Sequence, residues 1–315
     1  MNGKAAGGML DRRRFLGALP GAVVVAGGLP GLGRFEARAE GWPVGNVGHP
    51  GSDDGGPALQ VPSAIGVQLY TVRSVMTGDA DGTLAAIAAI GYEEVELAGL
   101  YGMSAREMKA RLDAVGLAAT SSHHSVEEVR GSWEAILDAA VAFGQSLVVV
   151  PALPVAERDG EALRRVADDF NRAGEAARAA GLRFGYHNHD WEMHPDVDGV
   201  RPIDLLLDRT DPELVDWQMD IFWVVHAGAD PMAELDARAG RVTSLHVKDR
   251  TAAGEMADVG AGVIDFRPVL ARAGELGLLH QYVEHDQPRD PIESVRASYR
   301  ALRDIVPSGA EDRSA

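Results

Sequence analysis

No cysteine occurs anywhere in the 315 residues. That excludes disulfides and thiolate metal sites, so any metal must rest on His, Asp and Glu. A basic surplus is missing as well: 30 Lys and Arg face 47 Asp and Glu, a formal net charge of −17. Nucleic-acid binding needs clustered cations that displace counterions, so a phosphate backbone is a poor partner for this chain. The same charge suits a protein that repels its own copies and anionic surfaces. The apolar stretch from Ala18 to Leu32 is broken by Gly and Pro and falls short of the roughly 20 apolar residues of a bilayer span. Nor does a glycine-rich phosphate loop follow the first strand candidate, which weakens a doubly wound dinucleotide fold.

What is present begins with an address. Asp11-Arg12-Arg13-Arg14-Phe15-Leu16-Gly17 fits the twin-arginine export pattern, and Ala37-Arg38-Ala39 puts small residues where a signal peptidase reads. A basic region, an apolar region and a cleavage site stand in the expected order. The expectation is a signal over 1–39, recognised by the twin-arginine export machinery, and a mature protein that is periplasmic or secreted with no membrane span. A merely basic, unstructured terminus is the plainer alternative. Residues 40–62 are rich in Gly, Pro and Asp and read as a linker. The folded domain is expected over 63–306, with a small polar tail over 307–315.

From Ser63 onward short β-branched apolar runs alternate with amphipathic stretches. The expected strands are Ile65–Tyr70, Glu94–Leu97, Ala118–Ser122, Ser146–Pro151, Arg183–His187, Leu214–Met219, Thr243–Val247 and Gln281–Glu284. The expected helices are Asp81–Ile90, Ala105–Val115, Ser132–Phe143, Glu161–Ala180, Ile203–Thr210, Pro231–Arg238, Phe266–Leu276 and Ile292–Arg303. Gly91, Gly116, Gly144, Gly181 and Gly277 stand where helices should close. Repeated strand–helix units demand a parallel sheet, and eight of them point to an α/β fold, a (β/α)8 TIM barrel, ahead of an open doubly wound sheet.

A barrel carries its chemistry at the carboxyl ends of its strands. Strand six ends in Asp220, strand seven carries His246 and then Lys248, and strand eight ends in Glu284. Oxygen and imidazole ligands of this mixture suit Mn²⁺, Mg²⁺, Co²⁺, Fe²⁺ or Zn²⁺. Each has a plain alternative: Asp220 as a helix cap, His246 as a satisfied core histidine, Glu284 as a rim charge, Lys248 as a solvated strand-end lysine or a partner of Asp249. Strand five adds Tyr186-His187-Asn188-His189-Asp190-Trp191-Glu192, where His187 and His189 share a face. Gln68, Glu96, His123 and His124 are candidates for gripping sugar hydroxyls, although Gln68 or Tyr70 could instead fill the barrel. Trp191, Trp217 and Trp223 could form a platform for a sugar ring, with core packing equally open.

At this point the residues resemble the xylose-isomerase-like TIM barrels, and within them the sugar phosphate isomerase/epimerase family. The resemblance runs from about Ile65 to Leu302. It rests on Ile65-Gly66-Val67-Gln68-Leu69-Tyr70-Thr71-Val72-Arg73, Gly91-Tyr92-Glu93-Glu94-Val95-Glu96-Leu97, Tyr186-His187-Asn188-His189-Asp190, Met219-Asp220, Leu245-His246-Val247-Lys248-Asp249, Val259-Gly260-Ala261-Gly262-Val263-Ile264-Asp265-Phe266 and Val283-Glu284. It implies a metal centre of Glu, Asp, His and Glu on strands five to eight. Asp220, His246 and Glu284 match the last three. The first does not match, because the usual Glu is His187 here; either His187 ligates directly or Glu192 reaches in from the loop.

The expected function is a divalent-metal-dependent isomerase or epimerase acting through an enediolate on an unphosphorylated keto-sugar or sugar derivative. The cation would polarise the carbonyl, Glu284 or Glu192 would take the neighbouring proton, His187 or His189 would return or relay it, and Lys248 would steady the oxyanion. Loss of the first Glu weakens a symmetrical two-carboxylate epimerisation. β-Elimination from a 3-keto-glycoside, as a lyase or hydrolase, is the second expectation. A non-catalytic exported sugar-binding barrel and an endonuclease-like phosphodiesterase follow, the latter disfavoured by charge.

Overall fold

The computed structural model describes residues 62–197 and 199–306. The expected signal over 1–39, the linker over 40–62 apart from Pro62, and the tail over 307–315 lie outside the described residues.

Eight parallel strands close into a barrel. They are β1 (Gly66–Gln68), β2 (Glu94–Leu97), β3 (Ala118–His123), β4 (Leu147–Val150), β5 (Arg183–His187), β6 (Asp216–Asp220), β7 (Val242–Val247) and β10 (His280–Val283). A two-stranded antiparallel ribbon, β8 (Asp249–Arg250) with β9 (Met256–Ala257), intervenes before the last. β1 is the seam: Gly66 pairs with Glu94 of β2 on one side and with Tyr282 of β10 on the other. The expected (β/α)8 architecture is therefore present. Each of the eight expected helices lies within one residue of its expected bounds, and all five glycines expected to close helices have positive φ, from 75° to 121°.

The long helix Gly160–Ala179 shows why the layers pack. Asp159 caps it, accepting from the amides of Glu161 and Ala162, which satisfies donors the helix cannot. Its buried face is Ala162, Leu163, Val166, Ala167, Phe170, Ala173, Gly174 and Ala177, a three-and-four spacing that gives one apolar stripe. Burying a side chain such as Leu163 or Phe170 stabilises by about 1.5–3 kcal/mol each. Gly174 sets the closeness, since a Cβ there would meet the Leu214 carbonyl oxygen at 2.2 Å. Gly174→Ala would push this helix off the segment that leads into β6.

Two register shifts matter for function. One falls between Val95 and Glu96 against β3, the other between Trp217 and Gln218 against β7. Bulges re-aim the side chains beside them, and Glu96 and Gln218 meet each other inside the barrel, Nε2 to Oε1 at 2.8 Å. Among the described residues no helix is long and apolar enough to cross a membrane.

Candidate active site

Alternation along each strand turns Gln68, Glu96, Ser121, His123, His187, Gln218 and His246 toward the barrel axis, where they form one hydrogen-bonded layer. Glu96 is its hub. It is wholly buried and faces five donors: Gln68 Nε2 at 2.7 Å, Ser121 Oγ at 2.6 Å, Gln218 Nε2 at 2.8 Å, His246 Nε2 at 2.6 Å and His123 Nε2 at 3.0 Å. Burial alone would raise its pKa, but His123 and His246 overcome that and hold it well below the usual carboxylate range. Glu96 is a saturated, ionised anchor. It has no lone pair left for a sugar hydroxyl, which corrects the substrate-gripping role expected for it. Gln68 is corrected likewise: its Nε2 serves Glu96 and its Oε1 accepts from the Tyr70 amide at 3.0 Å.

Glu96 also dictates orientation at β5. Its carboxylate only accepts, so Gln218 must present its amide nitrogen to it and its oxygen to the other side. Gln218 Oε1 then lies 2.9 Å from His123 Nε2 and 3.2 Å from His187 Nδ1, and both ring nitrogens must donate. His187 therefore carries its proton on Nδ1 and turns the lone pair of Nε2 toward Asp220 Oδ2, 3.5 Å away. Burial first, then the nearby His246, His189 and Lys248, keep the His187 pKa well below its ordinary value, so the ring is neutral. Asp220 is also fully buried. Its Oδ1 caps the helix Ile221–His226 by accepting from the Trp223 amide at 3.1 Å, whereas Oδ2 accepts no well-aligned hydrogen bond among the described residues and is met by the Lys248 ammonium at 3.0 Å.

Lys248 occupies the same corner. Its Nζ is 3.0 Å from Asp220 Oδ2, 2.8 Å from Glu284 Oε2 and 2.8 Å from Asp286 Oδ1, and the residue is 2% exposed. Burial opposes its charge, but Asp220, Glu284 and Asp286 more than offset it and raise its pKa well above the ordinary value. It is a charged ammonium, and the solvated role considered for it does not apply. His246 donates to two carboxylates, Glu284 Oε2 through Nδ1 and Glu96 Oε2 through Nε2, both at 2.6 Å. Burial opposes its charge too, yet Glu284 and Glu96 hold its pKa up at about 10. Glu284 is held well below the carboxylate range, with Lys248 and His246 overcoming burial. Asp220 is pushed up to about 6 by burial, against Lys248 and His246.

The strand-five loop divides its residues. His189 stands beside His187 and Trp223, with ring centroids 5.1 and 5.5 Å away, and its Nδ1 is buried without a partner among the described residues. Burial and Lys248 lower its pKa to about 4. Trp223 Nε1 is likewise buried without a partner, and the ring lies 5.9 Å from Lys248 Nζ. Glu192 turns the other way. A single 3₁₀ turn, Trp191–Met193, aims its carboxylate at Tyr186 Oη, 2.6 Å, and at the His189 amide, 2.8 Å. Tyr186 faces the helix layer against Phe170, so Glu192 braces the loop from behind. That corrects both its ligand and its base roles. His124 is corrected too: it falls on the opposite face from His123 and bonds Ser122 Oγ at 2.9 Å. Trp217 is a wholly buried packing residue bonded to Asn188, and Trp191 stacks under Arg158.

Asn188, Gln218 and Asp286 were not anticipated. Asn188 Oδ1 accepts from Trp217 Nε1 and the Asp220 amide and so ties β5 to the end of β6. Gln218 carried a signal in the sequence, since it lies two residues before Asp220 and must share its face.

Three side chains, Asp220, His246 and Glu284, offer one ligand atom each within 4.8 Å of one another. His187 Nε2 and Asp220 Oδ2 face each other as two acceptors, and the Lys248 ammonium already lies against that oxygen, so the corner is built for positive charge and its donor set suits a divalent cation. His246 would have to release its Nδ1 proton to ligate, so binding would be coupled to proton loss. A second grouping, His123, His187 and His246, fits less well, because both nitrogens of His123 are already engaged and it offers no carboxylate to balance the charge of the ion.

The xylose isomerase-like TIM barrel family profile matches residues 84–305, well over half of the sequence. The chain belongs to that family. An inosose dehydratase from Geobacillus thermodenitrificans (strain NG80-2) is 28% identical over 159 residues, 44% of this chain and 52% of that relative. The chain thus spans about half the length of this curated relative. An inosose dehydratase from Geobacillus kaustophilus (strain HTA426) is 26% identical over 237 residues, 62% of this chain and 76% of the relative. Among solved structures, a sugar phosphate isomerase/epimerase from Parabacteroides distasonis ATCC 8503 superposes with a TM-score of 0.68 at 27% identity, covering 76% of this chain and 95% of that one.

Proposed function

We propose that this barrel removes the proton beside the carbonyl of an unphosphorylated keto-sugar or keto-cyclitol, and that the enediolate then expels a β-hydroxyl as water. The sequence ranks isomerisation or epimerisation first; the site's one-sidedness carries the change of order. Its candidate acid–base groups, His189, Lys248 and Glu284, all follow strands of the β5-to-β10 arc. Across the barrel, Glu96 is saturated by five donors. Epimerisation at one carbon needs proton exchange on two opposed faces, whereas elimination needs a base and an acid on one. The similarity to inosose dehydratases supports the same choice.

A divalent cation held by His187, Asp220, His246 and Glu284 would supply Lewis-acid polarisation of the carbonyl. His189, neutral above about pH 4 and with an unpartnered nitrogen, accepts the α-proton. Lys248, ammonium-charged, steadies the developing oxyanion and protonates the departing hydroxyl, while Asp286 keeps it charged. Trp223 closes the corner over His189 and excludes water. Isomerisation is the second reading, favoured by the 27% identity to the Parabacteroides protein; there His189 would return its proton to the adjacent carbon. The twin-arginine segment supports export to the periplasm or beyond, which suits an unphosphorylated substrate.

The test is turnover of a panel of keto-sugars, 3-keto-glycosides and keto-inositols in heavy water, followed by NMR of the products. Loss of water to an enone supports the proposal, and an intact skeleton carrying deuterium at the neighbouring carbon supports isomerisation. Neither water loss nor deuterium uptake would leave a sugar-binding barrel and end the enzymatic reading.

A further inference from the structure

We infer that Lys248 is a built-in counter-cation for the carboxylate corner, one that a divalent ion must displace outward onto Asp286. This rests on the reading of His187, Asp220, His246 and Glu284 as a metal site. The centre holds three buried carboxylates, Glu96, Asp220 and Glu284, with the partly exposed Asp286 beside them, and the Lys248 ammonium stands among the last three. Carboxylates left unpaired away from water are costly, so without a metal some positive group must stand among them. Lys248 does so, touching Asp220 Oδ2 at 3.0 Å and Glu284 Oε2 at 2.8 Å. Asp220 Oδ1 is committed to the helix cap, which leaves Oδ2 as the oxygen for either cation. An ammonium and a divalent ion cannot both stay on the same two carboxylates, because like charges at that range repel strongly in a low-dielectric interior.

The third contact supplies the exit. Asp286 lies past the end of β10, with its side chain 26% exposed against 0% for Asp220 and 6% for Glu284. It is thus the outermost of the three partners, and it is within 2.8 Å of Nζ already. A short rotation of the lysine stem keeps that contact while surrendering the inner two. The flexible four-carbon stem makes Lys apt for this where Arg's planar fork would not be. The same movement brings the ammonium toward the mouth, where a substrate oxygen arrives. The corner therefore passes from a lysine-filled state to a metal-filled one with its lysine redeployed.

The measurement is calorimetric titration of the metal-free full-length protein with Mn²⁺, for wild type, Lys248→Met, Asp286→Asn and the double variant. Lys248→Met is expected to bind Mn²⁺ roughly tenfold more tightly or better, since no ammonium has to leave. Asp286→Asn is expected to weaken binding at least threefold in the wild-type background, and to have no effect once Lys248 is Met; that non-additivity is the signature of a shared displacement. Equal affinity in wild type and Lys248→Met would overturn the displacement while leaving the metal site standing. An equal weakening by Asp286→Asn in both backgrounds would also overturn it, as plain electrostatics. No Mn²⁺ binding by any form would remove the metal reading and this inference together. Should Lys248→Met fail to fold, Asp286→Asn alone decides: unchanged affinity sinks the proposal.

Discussion

His187 Nε2 faces Asp220 Oδ2 across 3.5 Å, two buried acceptors turned toward each other with no proton to share. The arrangement is imposed from outside the pair, because Gln218 holds the proton of His187 on Nδ1 and the Trp223 amide takes the other oxygen of Asp220. Such a contact persists because something positive lies against it: here the Lys248 ammonium, 3.0 Å from Asp220 Oδ2.

Asp220→Asn and Asp220→Ala separate the two duties of that residue. Both should abolish tight Mn²⁺ binding and lower kcat by a hundredfold or more, on the order of 3 kcal/mol of transition-state stabilisation. Only Ala also removes the cap on Ile221–His226, for a further loss of about 1 kcal/mol of stability. Thermal unfolding alongside metal analysis distinguishes them. Full activity in Asp220→Asn would show that the carboxylate is not part of the chemistry.

His189→Gln should keep metal content and fold but reduce kcat by about 10²-fold, with solvent-deuterium exchange falling in proportion. Unaltered exchange would move the base elsewhere, Glu284 being next.

Glu192 titrates in the wrong direction for stability. Burial pushes its pKa from 4.5 up to about 7, only partly countered by Tyr186 and the His189 amide. The folded state then binds a proton that the unfolded state has already released, so stability falls as pH rises from about 4.5 to about 7 and is level beyond. The difference is about 3 kcal/mol. Denaturant titrations across that window should show the fall in wild type and a flatter profile in Glu192→Gln. Identical profiles would contradict the assignment.

Asp249 organises the loop after the ribbon. Its buried carboxylate accepts from the amides of Arg250, Gly260, Gly262 and Ile264. Asp249→Ala strands those donors and should cost about 3–5 kcal/mol, with faster proteolysis across residues 251–264. Gly262→Ala should act in the same way, since its Cβ would fall 2.2 Å from Asp249 Oδ1.

Arg12→Lys with Arg13→Lys should leave the protein unprocessed in the cytoplasm of its host, as fractionation and mass measurement would reveal. Continued export and cleavage would dismiss the twin-arginine reading.

How much of this was legible beforehand follows from periodicity. Strands such as Glu94–Leu97 and Arg183–His187 and the helix Ala105–Val115 were read at their observed bounds, because apolar spacing and a closing glycine act locally. The convergence of Asp220, His246 and Glu284 followed from their common level at strand ends. Glu96 was misjudged because its five donors come from β1, β3, β6 and β7, contacts that only barrel closure creates. Glu192 was misjudged because one 3₁₀ turn reverses its side chain, and no spacing rule announces such a turn. His124 could have been set aside from alternation alone, since His123 already claimed the inner face. Asp286 sits in a loop, where no period exists to read.

The hub at Glu96 also constrains which side chain residue 187 can carry. A glutamate in place of His187 would set carboxylate oxygens against the oxygen of Gln218. Turning Gln218 over to relieve that would in turn oppose its oxygen to Glu96. Histidine at 187 is thus held in place by residues contributed from β2 and β6, and a glutamate there would call for a simultaneous change at 218, a constraint written in proton positions.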